Sequence, residues 1–161
     1  MIKVGDRLPD SVFRRIDGDG IEKITTETFF GGRKAVLFAV PGAYTPTCTM
    51  NHLPGFVASF DAMRSKGVDV VAVTSVNDPF VMKAWAEATG AMDTLTFLAD
   101  GTADFARAIG LELELSDIGL GLRSKRYAMI VEDMTVTYLA IEESPEMSDV
   151  SGAPALLAAL G

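Results

Sequence analysis

Two largely apolar segments of strand length stand out along the chain. Residues 35–40 (AVLFAV) end at Pro41-Gly42, and residues 68–74 (VDVVAVT) follow Gly67. Strands that are apolar on both faces are typical of a sheet that helices cover on both sides. The two segments therefore predict core strands of a parallel or mixed sheet.

Helical periodicity occupies the stretches between and after these segments. Apolar residues recur at spacings of three and four in one predicted helix that ends at Gly67, namely Leu53, Phe56, Val57, Phe60 and Met63. A second helix is predicted between Pro79 and Gly90, with a buried face made of Phe80, Val81, Ala84, Trp85 and Ala88. Shorter helices are predicted over residues 103–109 and 153–160.

The remaining patterns complete a fold prediction. Residues 126–131 (RYAMIV) and 135–141 (TVTYLAI) predict an antiparallel hairpin, and turn signals such as DGDG at residues 17–20 predict short strands near the N-terminus. The order of elements predicts an α/β fold with a central mixed sheet flanked by helices. This order matches the thioredoxin-like fold with an N-terminal β extension, and we expect residues 1–161 to form a single domain.

Composition narrows the functions that this fold could carry. Fourteen Lys and Arg against 22 Asp and Glu give a net charge of −8, which disfavours nucleic-acid binding. A single cysteine excludes an intramolecular disulfide and a cysteine-rich metal site, and a single histidine disfavours a zinc centre. We therefore expect no metal and no bound cofactor. The apolar runs are too short for a membrane span or a signal peptide, so we expect a cytoplasmic protein.

The charged clusters have an ordinary interpretation when they are considered alone. Arg123, Lys125 and Arg126 form the only tight basic cluster, which is typical of a solvated strand end. Four carboxylates at a predicted turn and strand end are also expected to be solvated: Glu132, Asp133, Glu142 and Glu143.

The segment PGAYTPTC, residues 41–48, carries the strongest chemical signal. It follows the first core strand, and Pro46 suits a first helical turn with Thr45 as its N-cap. Cys48 is then expected beside unpaired N–H groups at the positive end of a helix, where a thiolate is favoured over a thiol. The alternative is a small buried hydrophobic side chain, which the polar neighbours of Cys48 disfavour. A Cys48 thiolate that reacts with a small oxidant would have to be accessible to it.

These residues resemble a known family. Pro41-x-x-x-Thr45-x-x-Cys48 resembles the peroxiredoxin active-site signature, and PGAYTPTC followed by NHLPGF is similar to the Prx5 (type II) subgroup. The resemblance continues through VVAVTSVNDPFVMKAW, LADGTADF and RSKRYAMIVED, and thus covers nearly the whole chain. It implies a thiol-dependent peroxidase that reduces hydrogen peroxide and alkyl hydroperoxides.

The resemblance also implies roles for individual residues. Cys48 would be the peroxidatic nucleophile, Thr45 would offer its hydroxyl to the peroxide, and Arg126, just before Tyr127, would be the catalytic arginine. Arg123 would orient a loop or Arg126. The other residues expected to support the pocket are Pro41, which would shield it from water, Gly42 and Thr47.

The resemblance further implies the partners of the reaction. Some members carry a second cysteine near the C-terminus, but residues 148–152 (SDVSG) contain none. A sulfenic acid on Cys48 would therefore need an external thiol, either glutathione with glutaredoxin or thioredoxin. Residues 111–122 are expected to form a loop that serves as a pocket wall or a subunit contact, and the resemblance points to a homodimer.

The residues themselves leave two other functions open. His52 lies four positions after Cys48, on the same helical face, so a Cys48–His52 thiol hydrolase or transferase is one alternative. Otherwise His52 would be structural and bond to the backbone near residues 53–55. The second alternative is a thioredoxin-like redox sensor without catalysis.

Overall fold

The computed structural model describes residues 1–161, which form nine strands and six α-helices. The strands are β1 (Val12–Asp17), β2 (Gly20–Thr25), β3 (Lys34–Ala39), β4 (Val70–Ser75), β5 (Thr96–Ala99), β6 (Glu112–Leu115), β7 (Gly121–Ser124), β8 (Tyr127–Glu132) and β9 (Thr135–Ile141). The helices are α1 (Thr26–Phe30), α2 (Leu53–Ala58), α3 (Phe60–Ser65), α4 (Pro79–Thr89), α5 (Asp104–Ile109) and α6 (Ala153–Leu160). A π-helical turn (Cys48–His52) and a 3₁₀ turn (Ser116–Ile118) complete the regular structure.

Seven strands form one mixed sheet in the order β2-β1-β5-β4-β3-β8-β9. The central strands β3, β4 and β5 are parallel, whereas β8 pairs antiparallel with both β3 and β9. The N-terminal hairpin of β1 and β2 lies at one edge of the sheet. The predicted thioredoxin-like mixed sheet with an N-terminal β extension is therefore confirmed.

Hydrophobic packing on both faces explains why β3 is apolar throughout. Val36 and Phe38 face a core formed with helices α2, α3, α4 and α6. Ala35 and Leu37 face a second core formed with α1, α5 and the N-terminal hairpin. Alternate residues of one strand thus enter different cores, as the period of two along a strand requires. No helix in the structure is both long enough and apolar enough to span a membrane.

The helix predicted after Cys48 is divided into three segments. A π-helical turn leads into α2, and Ser59 separates α2 from α3. The predicted end of this region is correct, since Gly67 takes a positive φ of 90°. The predicted stripe spans α2 and α3, and its residues Leu53, Phe56 and Met63 are buried on both sides of the break at Ser59.

The buried face of α4 differs from the prediction. The helix begins at the predicted position, where Asp78 accepts a hydrogen bond from the Val81 N–H, but its buried residues are Met82, Trp85 and Ala86. Phe80 is 63% exposed. Trp85 is buried as predicted, but Met82 and Ala86 accompany it in the core in place of the other residues of the predicted face.

Residues 111–122 do not form the predicted loop. Strands β6 and β7 pair antiparallel as a separate two-stranded ribbon, and the 3₁₀ turn lies between them. The alternation of leucine and glutamate in this segment is the period of a strand with one face covered. The ribbon leads directly into Lys125 and Arg126, which precede β8.

Candidate active site

Strand β3 and the start of β8 bring the site residues together. Ala39 at the end of β3 pairs with Tyr127 at the start of β8, so residues 40–48 run beside Arg126. Chain reversal at the end of β3 then leads into the helical turn that contains Cys48. The carboxyl end of a central parallel strand is a common place for sites in α/β folds.

Cys48 lies in the first helical turn, and its sulfur has two polar contacts. Thr45 Oγ1 and Arg126 Nη2 lie 2.7 Å and 2.8 Å from Sγ, and both can donate to it. We expected backbone N–H groups of the first helical turn beside the sulfur, but none donates to Sγ. The donors are the Thr45 and Arg126 side chains instead. Cys48 is 0% exposed. The expectation of an open sulfur is therefore wrong for this closed arrangement.

Thr45 precedes the helix as the N-cap position requires, but its hydroxyl faces Cys48 Sγ and makes no capping hydrogen bond. The hydroxyl lies 2.7 Å from the Gly42 carbonyl oxygen and the same distance from Cys48 Sγ, whereas the Thr45 backbone carbonyl accepts from the Thr49 N–H. A single hydroxyl proton can serve only one acceptor at a time. The Thr45 hydroxyl can therefore donate either to Cys48 Sγ or to the Gly42 carbonyl oxygen, and it keeps a hydrogen bond in both cases.

Arg126 is buried rather than solvated, which corrects the interpretation of the basic cluster for this residue. Its exposed fraction is 2%. Nε and Nη2 donate to the Pro145 carbonyl oxygen at 3.1 Å and 3.0 Å, and Nη1 lies 2.8 Å from His52 Nδ1. None of the ion pairs in the structure includes Arg126.

A buried guanidinium without a carboxylate partner has a direct electrostatic consequence. Removing a cation from water is costly unless an anion or strong hydrogen bonds compensate. Among the side chains that contact Arg126, only Cys48 can become an anion. Arg126 therefore places a positive charge against the Cys48 sulfur, and this contact distinguishes Cys48 from an inert buried cysteine.

His52 supports Arg126 and does not contact Cys48. Its Nε2 lies 2.8 Å from the Ser151 carbonyl oxygen, which accepts only, and its Nδ1 faces an Arg126 N–H, which donates only. The ring is therefore neutral, with its proton on Nε2. The pKa of His52 is lowered from 6.5 to about 3, mainly because the ring is buried; the Ser151 hydrogen bond opposes the shift and the Arg126 charge adds to it.

These contacts disfavour the hydrolase alternative. A general base must reach the proton of its nucleophile, but both ring nitrogens of His52 are occupied by Arg126 and Ser151. The structural alternative is correct in kind but wrong in its partner, since His52 bonds to Ser151 rather than to the backbone near residues 53–55.

The loop of residues 142–152 hydrogen-bonds to several side chains of the site, and the sequence did not predict these contacts. The carbonyl oxygens of three of its residues accept hydrogen bonds from site side chains: Pro145 from Arg126, Glu146 from Thr47, and Ser151 from His52. Every residue type carries a carbonyl, so no signal in the sequence could have indicated these contacts.

Glu142, at the start of this loop, is also buried, which corrects the expectation that it is solvated. Its exposed fraction is 6%. Oε2 accepts from both the backbone N–H and the hydroxyl of Ser151, each at 2.6 Å. The other carboxylates of that predicted group, Glu132, Asp133 and Glu143, are exposed as expected.

The supporting residues lie around the segment that precedes Cys48. Pro41 and Gly42 are buried, and a Cβ on Gly42 would lie 3.0 Å from Arg123 Nη1 and 3.1 Å from Thr45 Cγ2. Arg123 Nε donates to the Leu120 carbonyl oxygen at 2.8 Å, and no hydrogen bond joins Arg123 to Arg126. Arg123 thus packs closely on Gly42, where a larger residue would have to displace the Arg123 and Thr45 side chains slightly.

Comparisons with known proteins agree with this geometry. The family model described as Redoxin matches residues 3–157. Peroxiredoxin-2C of Oryza sativa subsp. japonica is 45% identical over 160 residues, which cover 99% of this chain and 98% of the relative. The chain belongs to the redoxin family and is a peroxiredoxin. The predicted resemblance is thereby confirmed, and the enzyme class is a thiol-dependent peroxidase.

Solved structures place this peroxiredoxin within the family. Reduced Prx3 from Vibrio vulnificus in complex with H₂O₂ has a TM-score of 0.94 and 47% identity, and the match covers 99% of this chain and 96% of that one. Peroxiredoxin 5 from Alvinella pompejana has a TM-score of 0.88 and 32% identity, with 99% and 98% covered. With its single cysteine, this chain is a one-Cys peroxiredoxin of the Prx5 type.

Proposed function

We propose that this peroxiredoxin reduces hydrogen peroxide and small alkyl hydroperoxides with Cys48 as the nucleophile. The observation that carries the proposal is the position of Cys48 Sγ between the Thr45 hydroxyl and a buried guanidinium that forms no salt bridge with a carboxylate. The Vibrio vulnificus relative, which was solved with H₂O₂, supports a small peroxide as substrate.

The first step oxidises the sulfur and reduces the peroxide. The Cys48 thiolate attacks the hydroxyl oxygen of HO–OR, so that an S–O bond forms while the O–O bond breaks. The electron pair of the O–O bond leaves with the alkoxide, which takes a proton from water to give ROH. The products are a Cys48 sulfenic acid and an alcohol, or water when the substrate is hydrogen peroxide.

Arg126 and Thr45 stabilise the charge that moves during this step. Negative charge passes from sulfur to the leaving oxygen, and fixed donors aimed at that charge lower the barrier. The guanidinium stays protonated and offers donors in a rigid fork, so Arg126 can hold sulfur and peroxide together. Because Sγ is buried in the closed arrangement, the peroxide must first separate the Thr45 hydroxyl from the sulfur.

The second half of the cycle uses thiols from outside the chain. An external thiol attacks the sulfenic acid and releases water, which leaves a mixed disulfide on Cys48. A second thiol then reduces this disulfide and restores the Cys48 thiolate. We propose glutathione with glutaredoxin, or thioredoxin, as the reductant, because the chain has no second cysteine. The cycle requires no metal and no bound cofactor.

We also propose that the enzyme is a homodimer that uses the surface beside the site. Tyr44 (52%) and Phe80 (63%) are large apolar side chains exposed there, and Ile118 (70%) is exposed in the turn between β6 and β7. The Ala43 N–H donates to Asn77 Oδ1, which joins the Tyr44 loop to the start of α4. Sedimentation that shows only monomer at micromolar concentration would contradict this assembly.

Intact mass spectrometry after one equivalent of peroxide tests the proposed cycle. We expect a gain of one oxygen at Cys48 within seconds, and a glutathione adduct instead when glutathione is present. Cys48→Ser is the control and should gain nothing. A wild-type thiol that persists for minutes with equimolar hydrogen peroxide would overturn the proposal, and an oxidised Cys48 that no thiol restores would favour a redox sensor.

A further inference from the structure

Glu142 is a buried carboxylate that the proposed cycle does not use. It has no cationic partner, since none of the ion pairs in the structure includes it. Its Oε2 receives two donors from Ser151 at 2.6 Å. Burying a carboxylate without an ion pair is costly. Glu142 lines one cavity with Lys125 and Arg126 but forms a salt bridge with neither.

A continuous chain of hydrogen bonds leads from Glu142 to the nucleophile. Glu142 holds Ser151, whose carbonyl oxygen accepts the His52 Nε2 proton at 2.8 Å. His52 Nδ1 then accepts from Arg126 Nη1 at 2.8 Å, and Arg126 Nη2 faces Cys48 Sγ at 2.8 Å. The Ser151 carbonyl only accepts and the Arg126 guanidinium only donates, so the direction of both His52 links is fixed, and Glu142 fixes the position of Ser151.

We infer that Glu142 is a positioning residue for the peroxidase reaction, which it serves through Ser151 and His52 by aiming the Arg126 guanidinium at Cys48. With Ser151 fixed, His52 keeps its proton on Nε2, and its Nδ1 must then accept one Arg126 N–H. That bond sets the plane of the guanidinium and leaves Nη2 for the sulfur. This inference rests on the proposed role of Cys48 as the peroxide-reducing thiol.

Glu142 also contacts Arg126 through its main chain, and this contact can be separated from the contribution of its carboxylate. Its backbone N–H donates to the Arg126 carbonyl oxygen at 2.9 Å. Substitution of the side chain leaves this bond in place, so Glu142→Ala removes only the carboxylate from the chain of contacts. Glu142 also lines a cavity with Lys125 and Ser144, where the amide of a glutamine at this position can meet water.

The wild-type protein provides the first test, because His52 is the only histidine. Nitrogen-15 NMR of the imidazole should show the Nε2–H tautomer, unchanged between pH 5 and 8. A ring protonated on Nδ1, or one that titrates in that range, would overturn the inference whether or not any variant folds.

Variants provide the second test, with the second-order rate for hydrogen peroxide measured on the same samples. Glu142→Ala should lower this rate about tenfold, since small misplacements of catalytic groups cost up to about a hundredfold, and should let the second tautomer appear. Glu142→Gln keeps an acceptor oxygen and should restore both the rate and the tautomer. Ser151→Ala removes only the hydroxyl and should keep most of the rate. Glu143→Ala is the matched control, an exposed carboxylate one residue away.

The outcomes distinguish this inference from the proposed function. A folded Glu142→Ala with the wild-type rate and tautomer, or one whose rate falls while the tautomer is unchanged, overturns the positioning role and leaves the peroxidase intact. A wild-type Cys48 that does not react with peroxide overturns the proposed function itself. If Glu142→Ala does not fold, Glu142→Gln decides, since a tenfold loss in that variant contradicts the role given to the acceptor oxygen.

Discussion

Two segments of the chain meet at Cys48, and they hold the site in different ways. Residues 41–48 contribute side chains whose chemistry is specific, above all the Cys48 thiol and the Thr45 hydroxyl. The 142–152 loop contributes mainly backbone carbonyls, which orient Arg126 and His52 without contacting the sulfur. The first segment determines which reaction is possible, whereas the second determines how well the donors are aimed.

The largest effect is expected from Arg126, which contacts both segments, at Cys48 and at Pro145. Arg126→Lys should lower the second-order rate with hydrogen peroxide by about a hundredfold to a thousandfold, because one ammonium cannot contact Cys48, His52 and Pro145 at once. Stopped-flow fluorescence can measure this rate through Trp85, the only tryptophan, whose Nε1 donates to Thr49 beside Cys48.

A matched substitution separates the fork of Arg126 from positive charge in general. Arg123→Lys keeps the charge near the Gly42 loop and does not touch Arg126, so it should affect the rate far less. An Arg126→Lys enzyme that reacts within a few fold of the wild-type rate would remove the shared residue from the comparison of the two segments.

A smaller effect is expected within residues 41–48. Thr45→Val keeps the shape of the side chain but removes the hydroxyl that lies 2.7 Å from Sγ. The loss of one hydrogen bond of this kind is worth about 1 kcal/mol, so the peroxide rate should fall by roughly fivefold. Thr45→Ser restores the hydroxyl and should recover most of the rate. Equal rates for valine and serine would show that the hydroxyl takes no part.

The contrast between the segments also explains what the sequence could predict. Cys48 was predictable from its polar neighbours and its position after a core strand, whereas Thr45 and Arg126 were predicted only through the resemblance to the peroxiredoxin signature. The central sheet was predictable because strands such as β3 are apolar on both faces. In both cases, the physical requirement acts on the identity of the side chain.

Features that depend on the backbone or on a small rotation were not predictable. Pro145 and Ser151 act through carbonyl oxygens that every residue type carries. The buried face of α4 was wrong because Ala and Val can lie on either side of a helix, and burial of Met82 decides the rotation. The burial of Glu142 was missed because its partner, Ser151, lies nine positions away with no regular spacing.

A pH titration of stability examines His52, the residue that links the two segments. Its pKa in the fold is about 3, below the 6.5 of the unfolded chain. Its contribution to stability is therefore complete above pH 6.5 and is lost as the pH falls toward 3, at about 1.4 kcal/mol per pH unit. Asp100 has the opposite effect on stability. Its pKa is raised from 3.8 to about 6, mainly by burial, while hydrogen bonds from the Phe105 and Ala106 N–H groups oppose the rise.

The effects of these two groups on stability should cancel between pH 6 and pH 4. In this range the folded protein binds a proton at Asp100, whereas the unfolded chain binds one at His52. Asp100→Asn removes the offset, so the variant should lose stability about 1.4 kcal/mol per pH unit more steeply than the wild type in this window. Urea unfolding at several pH values measures both slopes. Parallel curves for the two proteins would contradict the assigned shift of Asp100.

The smallest effect is expected where the comparison makes its most specific claim. Pro145 contacts Arg126 only through its carbonyl oxygen, at 3.1 Å from Nε and 3.0 Å from Nη2, and Pro145→Ala retains that oxygen. The peroxide rate should therefore change by no more than about twofold, as for a substitution worth about 0.5 kcal/mol. A tenfold loss with unchanged thermal stability would mean that the rigid proline ring aims the guanidinium. The loop would then act through side-chain identity, as residues 41–48 do, and the two segments would differ only in how far their residues lie from the sulfur.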